Sequence, residues 1–251
     1  MPPLGLQLYT LRDALAADYD GTLARIARIG FGIVEPFDFV SQAEQLREGL
    51  RVHGLEARSA HLNFLREGTD LSAAFAAAAE LGISTVIEPY VDPARWTSAA
   101  DIRATADALN AAAPLAAAHG IRIGYHNHWF ELDEVEGSTG IEVLAAALDP
   151  AVVLELDTYW AAAGGQDVPA LLGRLGDRVR FLHVKDGPIE PDPATQTAVG
   201  EGRMPVWEIL AAAPQVEVGV VELDDFAGDM WSAVESSYRY LSTAQSGAGA
   251  R

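Results

Sequence analysis

The chain has no cysteine, little positive charge and no long apolar run, and each absence removes a class of function. Without a thiol there is no disulfide, no cysteine nucleophile, no thiolate zinc site and no iron–sulfur cluster. Lysine and arginine number 17 against 36 aspartates and glutamates, a formal charge of −19 at neutral pH. Such a surface repels phosphate backbones and anionic lipid, so neither a nucleic acid nor a membrane is an expected partner. No stretch reaches the ~20 apolar residues of a membrane span. The opening Met1-Pro2-Pro3-Leu4 carries neither the basic nor the apolar part of a secretory leader, so a cytoplasmic location is the expectation. No glycine-rich turn follows the first apolar run, which argues against a doubly wound nucleotide-binding sheet and leaves phosphate recognition unsupported.

What is present is an alternation. Short apolar runs at Leu4–Leu8, Ile33–Glu35, Glu56–Ala60, Thr85–Glu88, Ile121–Tyr125, Val152–Leu156, Arg180–His183 and Val218–Glu222 read as strands. Between them lie segments with helical periodicity, such as Leu23, Ile26, Ala27 and Gly30, or Ile102, Ala106, Leu109 and Ala113. Glycine closes several of these helices, as in His53-Gly54-Leu55 and His119-Gly120-Ile121. Eight strands in 251 residues give roughly 31 residues per unit, the size of a βα unit in a parallel barrel. The expected fold is therefore α/β, a (β/α)8 TIM barrel of eight parallel strands with outer helices. It forms one domain over residues 1–245, and residues 246–251 form a flexible tail.

Barrel chemistry gathers at the C-terminal ends of strands. Polar and ionisable residues recur there: Gln7 and Tyr9, Glu35, His61, Glu88, Tyr125-His126-Asn127-His128, Asp157, His183-Val184-Lys185-Asp186 and Glu222-Leu223-Asp224-Asp225. His126, Asp157, His183 and Glu222 follow one another at gaps of 31, 26 and 39 residues, roughly one βα unit each. Four such groups on four successive strands point at one axis. Two imidazoles and two carboxylates suit one divalent ion, with Mn²⁺ favoured and Zn²⁺, Co²⁺, Fe²⁺ or Mg²⁺ as alternatives. Such an ion polarises a carbonyl or holds adjacent sugar oxygens, and Glu222 is placed to move a proton. His126 and His128 alternate around Asn127 and would share one strand face, one as ligand and the other as a supporting or substrate contact. Lys185 either neutralises a developing enolate oxygen or pairs with Asp186. Gln7, Glu35 and Glu88 either bind substrate hydroxyls or form structural pairs. The bland alternatives are a helix cap for Asp157, a core histidine for His183 and a surface acid for Glu222. Trp129, Trp207 and Trp231 read as packing residues.

These residues resemble the xylose isomerase-like TIM-barrel superfamily, the sugar phosphate isomerase/epimerase group, over nearly the whole chain. The resemblance rests on Gly5-Leu6-Gln7-Leu8-Tyr9-Thr10, Tyr125-His126-Asn127-His128, Leu156-Asp157-Thr158-Tyr159-Trp160, Phe181-Leu182-His183-Val184-Lys185-Asp186, Gly200-Glu201-Gly202-Arg203 and Val221-Glu222-Leu223-Asp224. It implies a divalent metal held by Glu, Asp, His and Glu from strands five to eight. The last three match Asp157, His183 and Glu222, while the first falls on His126. Related ketose 3-epimerases use the two glutamates as an acid–base pair; here only Glu222 stands at such a position. His61 matches a frequent family histidine. Trp160 stands where many relatives carry a substrate-contacting histidine and would offer an apolar wall to a sugar ring. Arg203 precedes the seventh helix, where it contacts an anionic substrate or a surface acid.

The resemblance thus implies a metal-dependent isomerase or epimerase acting on a sugar, keto-sugar or polyol, with Glu222, His126 and Lys185 moving protons. Two other readings stand beside it. A lyase acting on a keto-inositol or 3-keto-glycoside would use the same enolate step, as in a branch that includes inosose dehydratase-like proteins. A non-catalytic sugar-binding protein would have a degenerate site. An apurinic endonuclease shares the fold, but the charge and the lack of extra ligands oppose it. Family members often pair through barrel helices, so a homodimer is a further partner to consider.

Overall fold

The computed structural model describes residues 1–247. Of the expected tail, residues 246–247 end the last helix, Met230–Gly247, and 248–251 lie outside the described residues. Eleven strands occur in chain order: β1 Leu4–Gln7, β2 Ile33–Glu35, β3 Glu56–Ala57, β4 Ser59–His61, β5 Thr85–Glu88, β6 Arg122–His126, β7 Glu134–Val135, β8 Ser138–Thr139, β9 Val153–Asp157, β10 Val179–Val184 and β11 Val218–Val221. Nine of them pair in the order β3-β2-β1-β11-β10-β9-β6-β5-β4, and every adjacent pair is parallel. The two ends of that order, β3 and β4, are halves of one strand broken at Arg58. A bridge between Phe37 and His61 supports the gap. The nine segments therefore occupy eight positions of a nearly closed barrel, the TIM barrel that the alternation of runs predicts.

The local chemistry that folds each unit is visible at the helix ends. Asp70, Ser98 and Asp167 each accept a backbone N–H of the first helical turn, which satisfies donors that the helix itself leaves free. Thr139 and Glu142 form a reciprocal capping box. Gly54 closes the helix Ala43–His53 at φ 66°, a left-handed conformation that costs glycine nothing, and its N–H returns to the Leu50 carbonyl.

Strand parity then decides what faces the axis, because alternate residues of a strand point to opposite faces. Ile33, Ile87, Val153, Phe181, Val218 and Val220 fill the lower barrel interior as one apolar cluster. The residues between them, among them Val34, Val86, Leu154 and Leu182, join the larger core under the outer helices. Below the apolar plug, the Arg122 guanidinium donates to both Glu217 oxygens, and Arg180 donates to one of them. Arg122 and then Arg180 hold that carboxyl below its ordinary pKa. Continuing the same parity upward places Gln7, Glu35, Ser59, His61, His126, Glu155, Asp157, His183, Lys185 and Glu222 in a buried polar layer above the plug. Among the described residues no helix is long and apolar enough to cross a membrane.

Candidate active site

Two strands run one residue further than the apolar runs suggest, and those extra residues carry chemistry. β6 extends through His126 and β9 through Asp157. In the β9–β10 register, Asp157 stands beside His183. Beyond the pairing of Val184 with Val221, Lys185 and Glu222 continue the same two strands.

His183 lies at the centre. Its Nδ1 is 2.6 Å from Glu222 Oε2 and its Nε2 is 2.8 Å from Glu35 Oε1, so both ring nitrogens are engaged. Burial opposes a charge on this ring, but Glu155 and Glu222 overcome burial and hold its pKa well above the usual value. His126 is the opposite case. Burial and the neighbouring charge of His183 hold its pKa well below normal, which leaves a neutral imidazole of the kind a metal requires. Its Nε2 lies 3.8 Å from Asp157 Oδ2.

Lys185 is fully buried. Its Nζ donates to Asp224 Oδ2 at 2.5 Å and lies 2.8 Å from Glu222 Oε2 and 2.9 Å from Asp157 Oδ2. Burial works against the ammonium, but Asp157, Asp224 and Glu222 together raise its pKa well above normal. In turn, against burial, Lys185 and His183 keep the Glu222 carboxyl well below its usual range. Lys185 therefore pairs with three carboxylates across the mouth and not with Asp186. Asp186 instead accepts the N–H groups of Gly187, Gly200 and Met204 and folds the following loop. Asp157 takes the helix-cap role with one oxygen and leaves the other free of hydrogen bonds. Its Oδ1 accepts the Trp160 N–H and caps the helix Thr158–Ala163. Its Oδ2, buried and without a hydrogen-bond partner, turns toward Lys185 and His126.

Donor atoms of His126, Asp157, His183 and Glu222 all lie within 4.8 Å of one another. Ligands at about 2.0–2.2 Å from a shared ion fall within that spread. The buried Asp157 Oδ2, ion-paired with Lys185 but without a hydrogen bond, and the mixed nitrogen–oxygen set fit a divalent ion. Donor atoms of a second group, His61, His126, Glu155 and His183, come equally close together one layer lower.

A cavity of about 500 Å³ opens above these groups, lined among others by Tyr9, Phe37, His61, Asn63, Tyr90, His126, His128, Glu222 and Asp224. His128 is half-buried, its ring 5.3 Å from that of His126 and 5.6 Å from that of Tyr90. The other expected contacts lie elsewhere. Gln7 and Glu35 are below the cavity, where Gln7 Nε2 donates to Glu35 Oε1 at 2.8 Å and Ser59 donates to Glu35 Oε2. Glu88 has the parity of Val86, not of Ile87, so it faces the helices, where Asn63 and the Leu65 N–H hold its carboxylate. Trp160 is buried beneath the mouth, its ring 5.4 Å from Lys185 Nζ and 5.0 Å from the Trp129 ring. Arg203 is exposed and does not line the cavity.

Two groups of the site were given no role from the sequence. Glu155 sits inside an apolar run two residues before Asp157, and its parity alone would have placed it on the axis. Asp224, held by Gln196, completes the Lys185 cage.

Comparison with known proteins agrees with this architecture. The family described as xylose isomerase-like TIM barrel matches residues 23–217. An inosose dehydratase of Geobacillus kaustophilus (strain HTA426) is 27% identical over 191 residues, which span 66% of this chain and 61% of that protein. A sugar phosphate isomerase/epimerase from Parabacteroides distasonis ATCC 8503 superposes with a TM-score of 0.84 at 27% identity, covering 96% of this chain and 93% of the other. The IOLI protein with a bound zinc atom shares the fold, with a TM-score of 0.72 at 15% identity over 96% and 97% of the two chains.

Proposed function

The chain belongs to the xylose isomerase-like TIM barrel family, and on that premise we propose that it is a divalent-metal-dependent isomerase or epimerase of a sugar, keto-sugar or polyol. The observation that carries this reading is the convergence of four donor atoms, from four neighbouring strands, within 4.8 Å at the floor of the cavity. His126, Asp157, His183 and Glu222 would hold the ion, with Mn²⁺ favoured by the mixed set over Zn²⁺, Co²⁺, Fe²⁺ or Mg²⁺. Bound there, the ion supplies Lewis-acid polarisation of a carbonyl and its neighbouring hydroxyl.

The chain's own residues supply the rest. Glu222, kept ionised against burial by the Lys185 ammonium, takes the proton from the carbon beside the carbonyl. The Lys185 ammonium, 2.8 Å from Glu222, faces the charge that develops on the substrate oxygen. With His126 Nε2 given to the ion, the proton is returned by Glu222 itself in an isomerisation, or by the Lys185 ammonium in an epimerisation. Tyr9, Tyr90 and His128 border the cavity and bind the sugar's edges.

A lyase is the second reading, and one feature favours it. The ionised base and the fixed ammonium stand together at Glu222 and Lys185, whereas His126 is held neutral with a depressed pKa. Abstraction at one face followed by loss of a β-hydroxyl or glycosyl group needs no second acid–base group opposite the first. The likeness to an inosose dehydratase points the same way.

Elemental analysis of the wild type beside Asp157→Ala and His183→Ala tests the metal. About one divalent ion per chain is expected, lost in both variants. No ion in the wild type after soaking in Mn²⁺ and Zn²⁺ would sink the proposal. Incubation of the loaded protein with keto-sugars and 3-keto-glycosides then separates the reactions, since an epimer marks the first reading and loss of water or of the glycosyl group marks the second. Sugar binding without either product would leave a non-catalytic binder.

A further inference from the structure

Glu155 is a buried carboxylate that the mechanism above leaves idle. It is the Cα partner of His126 across the β6–β9 ladder and shares the inward parity of Asp157. Its Oε2 is the meeting point of three imidazoles: 2.6 Å from His61 Nε2, 3.1 Å from His183 Nε2 and 3.3 Å from His126 Nδ1. It is 1% exposed and does not line the cavity. Each of the two histidines in the proposed metal set thus turns one nitrogen down to Glu155 and the other up, His183 Nδ1 toward Glu222 and His126 Nε2 toward Asp157.

An imidazole ligates through its unprotonated nitrogen, and the other nitrogen's proton needs an acceptor that fixes both tautomer and ring orientation. We propose that Glu155 is that positioning residue: by accepting the proton of His126 Nδ1–H it leaves Nε2 bare for the ion, and with Glu35 it holds the lower nitrogen of His183 in the same way. The two rings do not depend on it equally. His183 Nε2 has a second acceptor, Glu35, at 2.8 Å. Among the described residues His126 Nδ1 has no other acceptor, being buried and 3.3 Å from Glu155 without an aligned hydrogen bond. The assignment also gives the lower four-residue group a role that needs no second ion. It rests on the metal-site reading above.

The experiment uses the full chain as wild type, Glu155→Gln, Glu155→Asp, Glu35→Gln and Asp157→Ala, with two measurements. The first is the tautomer of His126 in metal-free protein, from long-range ¹H–¹⁵N correlations of the imidazole rings. Wild type should show the proton on Nδ1, and Glu155→Gln should lose that preference, with Glu155→Asp restoring it in part. The second is Mn²⁺ affinity by competition titration. Glu155→Gln should bind about 10- to 100-fold more weakly, Glu35→Gln less so, and Asp157→Ala not measurably. An unchanged His126 tautomer in Glu155→Gln overturns the proposal. So does complete loss of the ion in that variant, which would make Glu155 itself a ligand of an ion in the lower group. If wild type binds no ion, the metal reading fails, while the tautomer measurement still decides the role of Glu155.

Discussion

At the scale of single residues, parity separates acids that look alike in the sequence. Glu88 and Glu222 both end apolar runs, yet one faces the helices and the other faces the axis. Glu88 therefore lacks the cations that hold Glu222 ionised, and burial raises its pKa to about 7. The folded state thus favours its protonated form more than the unfolded chain does, where a glutamate titrates near 4.5. The stability it contributes is complete below pH 4.5 and is lost as pH rises through 7, a loss of up to about 3 kcal/mol. Glu88→Gln should escape this loss. Urea unfolding of both proteins between pH 4 and 8 should show the variant gaining on the wild type as pH rises, whereas parallel profiles would show that the carboxyl does not titrate in this range. His126, Asp157, His183 and Glu222 were legible because each closes a run at the spacing of a βα unit. Glu155 was not, because a charged residue inside an apolar run looks like a strand interruption until the strand's inward face is known.

At the scale of elements, the eight runs were legible because their hydrophobicity is continuous, as strands buried on both faces require. Their ends were less so. β6 and β9 both run one residue beyond the apolar stretch, since the last inward position is polar by design of the site. The break at Arg58 and the hairpin of β7 and β8, turned by Glu136 and Gly137 at positive φ, carried no strong signal. The loop after β10 shows what its glycines are for. A side chain on Gly202 would place Cβ 2.1 Å from Asp186 Oδ1 and 2.3 Å from the Gly187 nitrogen. The Gly200-Glu201-Gly202-Arg203 motif thus wraps a buried aspartate, and Arg203 is carried outward by the wrap. Gly202→Ala should destabilise the fold by about 1–3 kcal/mol while leaving the four donor groups in place. Denaturant unfolding together with metal content tests this. A stable variant, or one that loses metal before it loses structure, would contradict the assignment.

At the scale of the whole molecule, the charge of −19 is not confined to the surface. Glu35, Glu155, Asp157 and Glu222 are buried in the upper barrel, with Asp224 partly so at its rim. In the absence of a metal, Lys185 and protonated histidine are the cations that face them. Taking charges out of water is tolerable only when they are paired and hydrogen-bonded, so this layer is the part of the fold most sensitive to an added cation. A divalent ion held by the four donors binds the folded chain and not the unfolded one. At a hundredfold excess over its dissociation constant it should add ~2.7 kcal/mol, or roughly 5–10 °C in melting temperature for a chain of this size. The gain should survive raised ionic strength, because buried charges are screened far less than surface ones. It should vanish in Asp157→Ala, and chelation should return the wild type to its metal-free midpoint. Thermal unfolding with and without Mn²⁺, at low and high salt, distinguishes this from loose cation binding to an acidic surface. A shift that fades with salt and persists in Asp157→Ala would place the ion on the outside of the barrel and leave the inner donors to the lysine and the histidines.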